Sequence, residues 1–285
     1  MTDVSALLAR AESIAARLEK LLPADPAPTD WKASIAYRWR KHNGRGVIHP
    51  VGQVHRIQLK DLRGIDEQKA LVEQNTRQFV EGYPANNVLL TGARGTGKSS
   101  LIKALLTKYA SRGLRLIEVE KQDLIDLPEI VELICNRPER FVLYCDDLSF
   151  EADEPGYKAL KVILDGSVAA ASENCLIYAT SNRRHLMPRD MIENERSTAI
   201  NPNEAIEEKV SLSDRFGIWL GFHNCDQDTF FAMIDGYAAA MKLPITTEDL
   251  HAQAVEWSVT RGGRSGRVAW QFIQDVAGRL SVRAG

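Results

Sequence analysis

The segment Gly92-Ala93-Arg94-Gly95-Thr96-Gly97-Lys98-Ser99 restricts what this chain can fold into more than any other feature. It matches GxxxxGK[ST], a pattern whose glycines let a loop turn so that successive backbone N–H groups converge on phosphate oxygens. Both flanks fit. The apolar run 87–91 suits a buried strand, and a stretch of helical period begins at Lys98. A helix N-terminus adds partial positive charge to such a loop. Gly92 to Ser99, with Ser100 directly behind, therefore reads as a cradle for a nucleotide triphosphate. Lys98 would reach the β- and γ-phosphates, and the Ser99 hydroxyl would hold Mg²⁺.

A strand–loop–helix unit needs neighbours. Four more short apolar runs, 114–119, 141–145, 175–180 and 217–222, suit strands; stretches near 66–81, 98–111, 123–136 and 156–171 have helical length and period. Strands alternating with helices predict parallel pairing through right-handed crossovers, with both sheet faces covered. The expected core is a three-layer α/β unit around a five-stranded parallel sheet. Beyond Asn224 the strand signal stops, and 226–241, 246–260 and 265–282 read as three helices. The chain divides into an N-terminal arm (1–57), an α/β core (58–224) and a small all-α lid (225–285).

The run Phe141-Val142-Leu143-Tyr144-Cys145-Asp146-Asp147 delivers acids at the end of an apolar strand. Asp146 fits the carboxylate that holds Mg²⁺ beside transferred phosphates. Asp147 stands where many ATPases place a glutamate that orients or deprotonates the attacking water. Its side chain is one methylene shorter, so the same role needs a closer approach.

Composition enters at the arm. Lys plus Arg number 36 against 38 for Asp plus Glu, which excludes a wholly basic coat protein and an acidic disordered tail. The net charge of −2 hides a division: residues 31–60 carry seven cations and no acid, leaving −9 for the rest. Trp31, Tyr37 and Trp39 lie among those cations, as stacking and phosphate contacts to nucleic acid require. The other expectation is that these aromatics pack on protein while the cations pair with acids. Before this segment, a helix of amphipathic period (3–22) is followed by a proline-rich linker. Cys135, Cys145, Cys175 and Cys225 form no CxxC pair and read as reduced thiols. With no apolar run near the ~18 residues of a membrane span and no signal-like N-terminus, the expectation is a soluble, cytoplasmic protein without a membrane partner.

With these motifs in this order, the sequence resembles the AAA+ ATPases. More narrowly, the runs 145–151 (CDDLSFE) and 178–186 (YATSNRRHL), the Ser211–Gly217 box and the Trp-Lys…Tyr-Arg-Trp arm resemble the bacterial domain of unknown function 815 family. The resemblance implies roles for further residues. Leu62 and Ile65 would contact adenine, and Asn182 would be the polar residue between the two acidic and phosphate motifs that holds the lytic water. Arg215 would be the finger that acts in trans on a neighbouring subunit's nucleotide. Arg267, in preference to Arg264, would sense the nucleotide from the lid.

The resulting expectation is an ATP-binding, Mg²⁺-dependent ATPase that works as an oligomeric switch or remodeller on a protein client. Its catalytic set would be Lys98, Asp147, Asn182, Arg215 and Arg267. The alternative is a nucleic-acid-associated loader or transposition-helper-like ATPase using residues 31–60. A small-molecule P-loop kinase would leave the Arg215 box and the lid unexplained. The long polar connection 187–211 reads either as a partner-binding element beside the subunit interface or as a disordered insertion.

Overall fold

The computed structural model describes residues 4–21, 28–42, 44–54, 57–150, 154–165, 173–183, 186 and 212–282. Most of the proline-rich linker, Arg56, Arg184, the connection 187–211 and Ser211 lie outside them.

Strands β3 (Val88–Gly92), β4 (Leu114–Glu118), β5 (Arg140–Cys145), β6 (Cys175–Ser181) and β7 (Ile218–Phe222) are the five expected parallel strands. They line up in the order β4-β5-β6-β3-β7, so the phosphate-loop strand β3 lies inside the sheet, between β6 and the edge strand β7. An interior place suits its composition: Val88, Leu89 and Leu90 are wholly buried, as strands covered on both faces must be.

The sheet does not stop at five strands. β1 (Ala36–His42) and β2 (Arg45–Pro50) form an antiparallel hairpin, and β1 pairs in parallel with β4, giving seven strands in the order β2-β1-β4-β5-β6-β3-β7. The arm segment was expected without strands. Its signal was a period-2 alternation, Tyr37 and Trp39 inward against Arg38, Arg40 outward, masked by its charge. Tyr37 and Trp39 are completely buried and Trp31 nearly so. Trp31 packs edge-on against Phe141 at a 4.8 Å centroid distance, and the Tyr37 hydroxyl donates to the Asp30 and Ser34 carbonyls.

Alternation along the strands splits the core into two layers. Leu89, Ile117, Leu143 and Ile177 face one side, beneath α4 (Leu127–Ile134) and α5 (Pro155–Leu164). Val88, Leu90, Val142, Tyr144 and Tyr178 face the other, beneath α2 (Asp66–Val80) and α3 (Lys98–Tyr109). The stretch near 123–136 is a 3₁₀ turn (Lys121–Asp126) before a shorter helix than its period suggested. The N-terminal segment forms α1 (Val4–Leu21), whose Val4, Leu7, Leu8 and Ile14 are exposed.

The lid is α6 (Gln227–Met241), α7 (Thr247–Thr260) and α8 (Gly266–Arg279) around its own apolar cluster, centred on Phe230, Ile234, Phe272 and Ile273. Each helix is started by a side-chain cap: Asp226, Thr246 and Ser265 accept from the N–H of Thr229, Asp249 and Val268. Such caps satisfy N–H groups that have no partner within the helix. No helix among the described residues is long and apolar enough to cross a membrane.

Candidate nucleotide-binding site

The phosphate loop runs from the end of β3 to the start of α3, and its glycines are required by position. Gly92 has φ +139°, and a Cβ there would lie 2.0 Å from the Phe222 carbonyl oxygen of β7. Gly95 has φ +80°, and a Cβ there would meet Arg267 Cβ and Ser265 Oγ at 2.9 Å. One glycine lets the loop pass a neighbouring strand; the other lets the lid approach the loop. The Arg267 N–H donates to the Gly95 carbonyl at 3.3 Å, joining α8 to the cradle.

Lys98 is buried at 5% exposure. Its ammonium donates to the Gly92 and Ala93 carbonyls at 2.8 and 2.7 Å and to Asn182 Oδ1 at 3.3 Å. All three acceptors are neutral. Burial lowers its pKa, against the pull of Asp146 and Asp147. The result is a positive charge held at the loop by carbonyl and amide oxygens rather than by a carboxylate.

Asp146 and Asp147 follow β5 and are tied to the end of β6. Ser99 Oγ donates to Asp146 Oδ1 at 2.9 Å, and Thr180 Oγ1 donates to the same oxygen. Burial alone would raise the Asp146 carboxyl, but the surrounding hydroxyls of Thr180, Tyr144 and Ser99 outweigh it and hold it below the ordinary value. Asp147 has φ +52°, an uncommon left-handed conformation for a residue with a side chain. Its N–H donates to Thr180 Oγ1 at 3.0 Å, which fixes that turn. Its carboxylate accepts from Asn182 Nδ2 and, at 3.5 Å, from Arg94. A continuous polar chain thus runs from Lys98 through Asn182 to Asp147.

The remaining expected residues sit as follows. Ile65 is buried, and its Cδ1 lies 3.5 Å from where a Gly97 Cβ would be. Leu62 packs on the α2–α3 layer. The segment between them meets the lid, since a Cβ on Gly64 would lie 2.3 Å from Thr229 Cγ2. Arg267 is at the loop, whereas Arg264 donates to Gln227 at 2.9 Å. Arg215 is not gathered into this cluster; it pairs with Asp165 at the end of α5. Sequence reasoning assigned nothing to Thr180, Tyr144 or Ser265. The first two were legible in principle, because Tyr144 precedes Asp146 by two on one strand and Thr180 is placed by register beside it.

A phosphate loop on an interior parallel strand, an acid-bearing strand two places away and a helical unit seated on the loop together define a P-loop fold of the AAA+ type. Solved structures share it. AMPPCP-bound DnaA from Aquifex aeolicus superposes with a TM-score of 0.55 at 16% identity, over 78% of this chain and 65% of that one. The FIGL-1 AAA domain in complex with ADP gives 0.53 at 18%, over 80% and 76%. A mutant form of Thermotoga maritima RuvB gives 0.52 at 17%, over 79% and 67%. This chain spans about two thirds of the DnaA and RuvB chains, and at such identities the likeness is one of fold. No curated protein matches. The chain belongs to the family described as "Protein of unknown function (DUF815)", whose profile matches residues 32–280.

Proposed function

We propose that this protein binds ATP between its α/β core and its lid and hydrolyses it with Mg²⁺, acting as an oligomeric switch on a protein client. The observation that carries this reading is the cluster of Lys98, Asn182, Asp147, Ser99 and Asp146 around the phosphate loop. Lys98 donates only to neutral acceptors, so its ammonium is hydrogen-bonded to no carboxylate and is available to a polyphosphate. Leu62 and Ile65 would take the base, Ile65 lying beside Gly97, and the lid reaches the loop through the Arg267 N–H.

The donor set fits magnesium: a hydroxyl and a carboxylate 2.9 Å apart, both hard oxygen ligands. Ser99 and Asp146 would hold the ion, the rest of its shell coming from phosphate oxygens and water. When bound, it would neutralise charge developing on the phosphoryl oxygens.

The chain's own groups divide the remaining work. Lys98 exchanges carbonyl acceptors for phosphate oxygens. Asn182 and Asp147, already hydrogen-bonded to each other, orient the attacking water, and Asp147 takes its proton. Arg94, paired with Asp147 in this arrangement, is drawn towards phosphate when the nucleotide enters and releases the carboxylate. Arg215 leaves Asp165 for the γ-phosphate of a neighbouring subunit, which makes hydrolysis a property of the assembly. A change at the γ-phosphate would move the lid through Arg267.

A nucleic-acid role for residues 31–60 has less behind it. Trp31, Tyr37 and Trp39 are buried and cannot stack on bases, and Arg38, Arg40 and Lys41 pair with Glu118, Glu120 and Asp126.

The test is steady-state phosphate release from ATP against protein concentration, for wild type, Lys98→Ala and Arg215→Ala. Activity per subunit should rise with concentration, and both variants should lose it. Activity independent of concentration and unchanged in Arg215→Ala would defeat the trans finger. Transfer of phosphate to an acceptor instead of water would defeat the ATPase reading in favour of a kinase.

A further inference from the structure

Asp146 and Asp147 are consecutive, and a strand sends consecutive side chains to opposite faces. Val142 and Tyr144 lie in the layer under α2 and α3, whereas Leu143 and Cys145 lie in the other. Continued alternation would put Asp146 on the first side and Asp147 on the second. Both carboxylates nonetheless join the phosphate-loop cluster, Asp146 by its bond from Ser99 and Asp147 by those from Asn182 and Arg94. The alternation is broken at Asp147 by its left-handed φ of +52°. Such a conformation in a residue with a side chain persists only where its surroundings impose it.

The imposing group is Thr180, 1% exposed near the end of β6. The register pairs Cys145 with Ala179, so Thr180 comes beside the two acids. Its hydroxyl accepts from the Asp147 N–H at 3.0 Å and donates to Asp146 Oδ1, while its carbonyl accepts from the Leu148 N–H at 2.7 Å. The polarity of that hydroxyl is forced. A backbone N–H can only donate and an ionised carboxylate can only accept, so the single threonine proton goes to Asp146. A valine would fill the same space and make neither bond. We propose that Thr180 is a positioning residue for both acids: its one hydroxyl holds Asp146 as the magnesium ligand and turns Asp147 into the same site as the base.

This inference rests on the nucleotide reading, and its test separates the two. A fluorescent ATP analogue is bound to the full chain in EDTA and then titrated with Mg²⁺, for wild type, Thr180→Val, Thr180→Ala and Thr180→Ser. Phosphate release is measured on the same proteins at saturating ATP and Mg²⁺. Thr180→Val and Thr180→Ala, which lack the hydroxyl, should keep the EDTA affinity. Their Mg²⁺ midpoint should move up about 10-fold, as removal of a group supporting a metal ligand does. Their turnover should stay down about 10²-fold even at saturating Mg²⁺, the effect of a catalytic group displaced by about 1 Å. Thr180→Ser should keep both quantities near wild type, and its comparison with Thr180→Ala serves if Thr180→Val does not fold. Wild-type midpoint and turnover without the hydroxyl overturn the role of Thr180 and leave the nucleotide site standing. Turnover fully restored by Mg²⁺ overturns the hold on Asp147, and with it the joint role. Thr180→Ser as impaired as Thr180→Ala reduces Thr180 to packing and also overturns it. No binding of the analogue by wild type overturns the parent reading, and this inference with it.

Discussion

The cations of the β1–β2 hairpin and Lys98 of the phosphate loop are treated in opposite ways by the structure, while the loop's other cation, Arg94, pairs with Asp147. In the hairpin, Arg38 meets Glu118 at 2.6 Å, Arg40 meets Glu120 at 3.4 Å and Lys41 meets Asp126 at 2.8 Å. Trp39 adds its indole N–H to the other oxygen of Asp126 at 3.0 Å. Three of the seven cations of residues 31–60 are thereby answered inside the chain, holding an added hairpin to β4 and the turn after it. At the loop, Lys98 is buried with two carbonyls and an amide. A cation hydrogen-bonded to carboxylates stabilises structure; one whose hydrogen bonds all go to neutral oxygens can exchange them for a ligand's. The difference is one of partners, and composition alone does not record partners.

Substitutions in the two regions should therefore fail in different assays. Asp147→Asn should reduce ATP turnover by about 10²–10⁴-fold, the span of a lost general base, while nucleotide affinity is kept; parallel loss of binding would reassign Asp147 to structure. Lys98→Met should lower turnover by about 10²–10³-fold, the effect of removing one preorganised donor to developing charge. It should not lower the melting temperature. The sign follows from the lowered pKa: the folded chain binds this proton less tightly than the unfolded chain. The charged form hence weakens the fold at neutral pH, and stability from this group rises as pH climbs towards 10.5. A large drop in melting temperature would mean that the loop needs the ammonium to fold.

In the hairpin the expected loss is stability. Trp39→Ala removes a wholly buried indole and should cost about 3–5 kcal/mol in denaturant unfolding. Gly46→Ala should cost about 1–3 kcal/mol by overpacking, since its Cβ would fall 1.8 Å from the Trp39 ring. Arg38→Ala breaks a half-exposed ion pair and should cost under about 1 kcal/mol, less still at high salt. Nucleotide affinity unchanged across all three would complete the contrast; a loss in Arg38→Ala alone would make the hairpin part of the site.

How much of this was legible in sequence varies with the range of the interaction. The phosphate loop was readable because its geometry is local: eight residues, fixed glycines, a strand before and a helix after. The five parallel strands were readable from apolar runs of strand length. The hairpin was not, because seven cations in thirty positions hid the alternation of Tyr37 and Trp39. Nothing in the sequence marks Gly46, which is required because the Trp39 ring lies against it. Thr180 seemed only the end of a strand, yet its hydroxyl links the two acids by accepting from one and donating to the other. The Arg215 pairing with Asp165 joins residues fifty positions apart, across a connection whose middle lies outside the described residues.

The sequence by itself determined the elements that short-range chemistry sets: the loop, the strand that feeds it, the acids at the end of β5 and the capped helices of the lid. Only the tertiary structure decided what each charge and each aromatic faces. It turned a basic, aromatic arm into two sheet strands, folded the Lys98 ammonium against neutral oxygens, held Asp147 in a left-handed turn, and left one buried phenol beside Asp146. The reason is physical. Backbone geometry depends on neighbours a few residues away, whereas burial and partnership depend on which distant segments the sheet order brings together.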